Sequence, residues 1–80
     1  MALFEGFERV YFNTKGEERY VLKIVDLEQV ESFEPIRENY TRVYTNSGDV
    51  FVLRITHDEF SSCVLGSVDG FGKLFMFNKN

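Results

Sequence analysis

Cysteine, histidine and proline each occur once in these 80 residues, and tryptophan is absent. A lone Cys63 excludes an internal disulfide. Together with His57 it falls short of the four nitrogen and sulfur ligands of a structural zinc site. No apolar run approaches the length of a membrane-spanning helix. The first residues lack the basic and apolar regions of a secretory leader, so with a single cysteine the expected compartment is the cytoplasm. Basic residues are scarce as well: nine against thirteen acids, a net charge of −4. Affinity for bulk nucleic acid comes from cations that neutralise phosphates, so this balance disfavours it.

Catalytic groupings are also missing. His57 and Cys63 lie six residues apart, which on a helix turns them about 120° away from each other and prevents a nucleophile–base hydrogen bond. The adjacent acids Glu17–Glu18 and Asp58–Glu59 fall in a turn and at a helix start, without the surrounding ligands of a calcium loop. The glycines at 66, 70 and 72 imitate a phosphate loop, but Lys73 is followed by Leu74 and a strand pattern instead of Ser or Thr and a helix. The expectation is a chain with no catalytic centre, no metal and no cofactor.

What the chain has in quantity is aromatic surface and alternation. It carries nine Phe and four Tyr, each able to bury about 150–250 Å². Such a total exceeds what a small core holds, and clustered exposed rings mark interaction sites. Apolar residues alternate with polar ones through Val10 and Phe12, then Tyr20, Leu22 and Ile24, then Val43, then Phe51, Leu53 and Ile55. A period of two is that of a half-buried strand. Strands are expected at 7–13, 19–25, 40–45 and 50–55. Turns around Gly16 and Gly48 join the first pair and the last pair.

Residues 26–34 read as one helical turn, with Asp26 and Gln29 imitating a capping box, and then a short strand that ends before Pro35. Thr56 and Glu59 form a second capping box that opens a helix over 57–65, with Gly66 placed to stop it. The last expected strand, 73–78, is apolar on both faces. The expected fold is mainly β (α+β): a single small antiparallel sheet or barrel-like domain of five or six strands, with one short helix after Thr56.

Two surfaces are candidates for binding. Asp26, Glu28, Glu31, Glu34 and Glu38 face one base, Arg37, over thirteen residues, so this window alone carries a charge equal to that of the whole chain. It suits a basic protein partner through steering. Leu74, Phe75 and Phe77 offer an apolar strand for burial or for self-association into a homo-oligomer.

Residues 9–65 resemble the LytTR family of bacterial DNA-binding domains. The points of likeness are Arg9-Val10-Tyr11-Phe12 with its Lys15-Gly16 turn, 25–31, 39–45, 48–53 and the Thr56-x-x-Glu59 helix start. From Asp26 onward the chain is also similar to the flagellar FlbD family. The resemblance implies a β-rich fold and DNA contacts from Arg37, Arg42 and Arg54, with Lys15 and Arg19 beside them. Two features depart from the family: residues 66–80 have no counterpart to its later DNA-contacting segment, and the chain is acidic. The leading expectation is therefore a non-catalytic cytoplasmic protein-interaction module, a small acidic regulator or inhibitor of the kind phages and mobile elements encode. A LytTR-like transcriptional regulator is the first alternative, and a small-ligand binder with its site between subunits is the second.

Overall fold

The computed structural model describes residues 3–66. The chain runs β1 (Phe4–Phe12), β2 (Glu18–Asp26), a 3-10 turn (Leu27–Gln29), β3 (Val30–Arg37), β4 (Tyr40–Thr45), β5 (Val50–Leu53) and α1 (His57–Gly66). The fold is mainly β, with five antiparallel strands in one sheet ordered β2-β1-β5-β4-β3 and the helix following the fifth. The expected strand at 73–78, with Leu74, Phe75 and Phe77, lies outside the described residues. No helix among the described residues is long and apolar enough to cross a membrane.

Local chemistry explains the turns. Asn13 Oδ1 accepts from the backbone N–H groups of Lys15 and Glu17, both at 2.9 Å, and Gly16 takes φ +82°, a region that disfavours a Cβ. Between β4 and β5, Gly48 has φ +94°, and the Thr45 hydroxyl accepts from Asp49 N at 3.1 Å.

Several boundaries differ from expectation. β1 starts at Phe4, three residues early, because the hairpin ladder continues to the Phe4–Asp26 pair and closes with Leu27 N–H donating to Leu3 O. Glu18 opens β2 and so leaves the turn assigned to it. β3 runs through Pro35 to Arg37: it is an edge strand with register shifts at Val30/Ser32 and Pro35/Arg37, where a missing N–H is tolerated. β5 ends at Leu53, since the Ile55 N–H turns back to Leu53 O and takes the chain off the sheet.

The turn at Asp26 is 3-10. Asp26 Oδ1 accepts from Glu28 N at 3.1 Å and Leu3 N at 3.2 Å, so Gln29 takes no part in a box. At α1, Glu59 N donates to Thr56 Oγ1 at 3.1 Å as expected, while the Glu59 carboxylate accepts the Thr56 hydroxyl at 2.9 Å.

The helix covers one face of the sheet. Phe60 is fully buried and meets Phe7 and Phe33 edge-to-face, with ring centroids 5.4 and 4.9 Å apart. Val25, Leu27, Val43, Phe51 and Leu53 complete the core, with Cys63 and Val64 packed against it. Residues on this face of β1 and β2 carry odd numbers. Those with even numbers point to the opposite face, which no described element covers.

Candidate functional site

That open face gathers side chains from all five strands and the segment after β5. The register sets Val10 opposite Tyr20, Glu8 opposite Leu22, Arg42 between Glu34 and Val52, and Tyr44 between Ser32 and Val50. Val10 forms the floor and is 5% exposed. Above it Tyr20 and Tyr40 bring their hydroxyls within 3.2 Å of each other, and the Tyr40 hydroxyl donates to Glu18 Oε1. Tyr20 OH lies 3.2 Å from the same carboxylate oxygen. Its single proton can serve either Glu18 or the Tyr40 oxygen.

Arg37, Arg42 and Arg54 are on this face, and each has a carboxylate beside it. Arg37 Nη1 is 3.6 Å from Glu18 Oε2, Arg54 Nη1 is 3.6 Å from Glu8 Oε1, and Arg42 Nη1 is 3.0 Å from Glu34 Oε2. Aromatic faces carry two of them as well: Arg54 lies 4.5 Å from the centre of the Tyr20 ring, and Arg37 lies 5.5 Å from Tyr40 and 6.0 Å from Phe12. The Tyr44 hydroxyl donates to Glu34 at 2.6 Å. That bond first, and the Arg42 guanidinium second, hold the Glu34 carboxyl below its usual range.

At one end of the face the surface turns apolar. Leu22, Phe4 and Ile24 are 71%, 66% and 58% exposed. Leu22 and Ile24 lean over Gly6, where a Cβ would stand 3.2 Å from Leu22 Cδ1. The glycine is what lets those two branches settle against the backbone of β1.

The acidic window does not converge on one site. Glu34 belongs to the open face, and Asp26 is spent capping the 3-10 turn. Glu28, Glu31 and Glu38 are exposed in the 3-10 turn, in β3 and in the β3–β4 connection. Of the other sequence candidates, Arg19 points to the helix-covered side of β2 and Lys15 sits in the first turn. Cys63 donates to Glu5 Oε2 at 3.2 Å, and His57 stacks on Phe33 with centroids 5.1 Å apart, so the two do not act together. Burial pushes the Cys63 thiol up to about 11, with Glu5 adding to the effect, the reverse of nucleophile activation. Among the described residues no group of three or more His, Cys, Asp or Glu is placed to hold a metal ion.

Sequence reasoning missed Phe4, Phe12, Tyr20, Leu22, Ile24 and Tyr44 as surface groups, and Tyr40 as the buried ring beside them. A usable signal was present in 20–25, where apolar residues occupy both parities. One short helix cannot cover both faces of such a strand. Comparison with protein-family models, curated proteins and solved structures finds no match for this chain.

Proposed function

We propose that the chain is a non-catalytic protein-interaction module, a small acidic regulator or inhibitor that docks through the open face of its sheet. The observation that carries this reading is the composition of that face: tyrosines and phenylalanines interleaved with three arginines, each matched by a glutamate. Tyr, Phe and Arg are enriched at protein interfaces, and lysine is depleted there. Among the described residues both lysines, Lys15 and Lys23, lie off this face. Paired guanidiniums on aromatic rings give up little further mobility on docking, which lowers the cost of association. The overall charge of −4 favours a basic partner, steered at long range.

The LytTR-like reading has one observation in its favour: Arg37, Arg42 and Arg54 share a face. Against it, Glu18, Glu34 and Glu8 cancel their charge locally, and a phosphate would have to displace each carboxylate.

The two readings separate in one comparison. Partners retained from native lysate by the wild-type chain are compared with those retained by the double variant Arg42→Ser/Tyr44→Ser, alongside a gel shift on random duplex DNA at physiological salt. The expected result is a protein retained by the wild type and lost by the variant, with no shift of the duplex. A clear duplex shift abolished by Arg42→Ser would overturn the interaction reading in favour of DNA binding.

A further inference from the structure

We propose that the odd-numbered side of the β1–β2 hairpin binds a phosphate monoester, held by Arg9, Arg19 and Lys23. The site is separate from the open face and does not depend on the docking reading. The register sets Arg9 opposite Val21, Tyr11 opposite Arg19 and Phe7 opposite Lys23. Arg9 therefore stands one diagonal step, about 7–8 Å between backbones, from each of the other two cations. That spacing lies inside the Debye length at physiological salt, so three like charges repel one another there.

The contrast with the open face carries the inference. There each of the three arginines has its glutamate. Among the described residues, Arg9, Arg19 and Lys23 have no ion pair. The nearest acids of the same parity are engaged elsewhere: Glu5 accepts from Cys63, and Glu17 accepts from Asn13 Nδ2 at 2.8 Å. Aromatic rings hold two of the cations instead. Arg9 lies 4.5 Å from the centre of the Tyr11 ring and 5.7 Å from that of Phe51, and Lys23 lies 4.8 Å from Phe51. Arg9 Nε is buried with no hydrogen-bond partner among the described residues. A guanidinium that has lost water without gaining an acceptor is costly. An anion beside it offsets both that cost and the mutual repulsion of the three charges.

Two arginines and a lysine suit a phosphoryl dianion. Its tetrahedral oxygens take donors from both guanidinium forks, with the ammonium as a third charge. The hollow beyond Lys23 is lined by Asp26 and Asp49, which repel an anion and confine the phosphoryl group to the Arg9–Arg19 side. Tyr11 and Val21 alongside are 42% and 52% exposed, an apolar floor for the organic part of an ester. A long polyanion such as duplex DNA would have to lie across the acidic remainder of a chain with a net charge of −4. A single phosphoryl group meets only the three cations.

The test is a titration of the full chain with phenyl phosphate, inorganic phosphate and phenol at constant ionic strength, followed through backbone amide chemical shifts. The expected result is saturable shifts at Arg9, Tyr11, Arg19 and Val21 with phenyl phosphate, weaker binding of inorganic phosphate and none of phenol. Arg19 is exposed, so Arg19→Gln leaves the core intact and is expected to weaken phenyl phosphate binding about tenfold or more. Arg9→Lys, which keeps the charge and loses the fork, is expected to weaken it as well. The double variant Arg42→Ser/Tyr44→Ser alters only the open face and is expected to bind phenyl phosphate as the wild type does, so loss of partner docking and loss of phosphate binding are read separately. Three results overturn the proposal: no saturable shift up to about 10 mM phenyl phosphate, shifts confined to the open face, or an affinity unchanged in Arg19→Gln. Equal affinity for inorganic phosphate and phenyl phosphate would overturn the assignment of an ester.

Discussion

Replacing Phe60 with Ala removes the one helical side chain that is fully buried and clasped by two rings. Phe→Ala in a core costs about 3–5 kcal/mol, from lost transfer energy plus the cavity left behind. Two edge-to-face contacts, each worth roughly 0.5–1.5 kcal/mol beyond area burial, place this site in the upper half of that range. An 80-residue domain has only about 4–12 kcal/mol of total stability. The substitution therefore consumes a large part of the whole and lowers Tm by about 15–30 °C. Phe60→Leu, which retains most of the volume and no ring, is expected to cost less than half as much. Urea unfolding followed by circular dichroism measures both variants against wild type. A Phe60→Ala loss below about 1 kcal/mol with an unchanged m-value would refute the assignment of this ring as the keystone between helix and sheet.

Thr56→Ala removes the acceptor for Glu59 N–H at the start of α1 and is expected to cost about 1 kcal/mol, read from the same urea transitions; Thr56→Ser, which keeps the acceptor, should recover most of the loss. The Cys63 thiol, raised to about 11 by burial and by Glu5, is expected to react slowly with a disulfide reagent at pH 8 and faster as pH climbs toward 11. Because its folded pKa lies above the ordinary value of 9.0, its contribution to stability is fully present below pH 9 and is lost as pH rises through 11; denaturation midpoints at pH 8, 9.5 and 11 test the sign, and Glu5→Gln should flatten the trend.

The sequence by itself determined the local structure. Period-two alternation marked four strands, Gly16 and Gly48 marked two of the three hairpin turns, and Thr56 with Glu59 marked the helix, because each depends on residues within a few positions of one another. The extension of β3 through Pro35 was not legible, since its tolerance there comes from being an edge strand, a property of sheet order.

Tertiary structure decided everything about the candidate site. Glu8 meets Arg54, Glu18 meets Arg37 and Glu5 meets Cys63 across 46, 19 and 58 positions in the chain, and strand order and the path of the helix make those meetings. Alternation states that a strand has two faces; it does not state which face the helix will cover. Once α1 settled its Phe60 on one side, the aromatics and the three paired arginines of the other side became the open face. The acidic window, continuous in sequence, was divided between a cap, an ion pair and exposed positions in turns and in β3, because neighbours along a strand point in opposite directions.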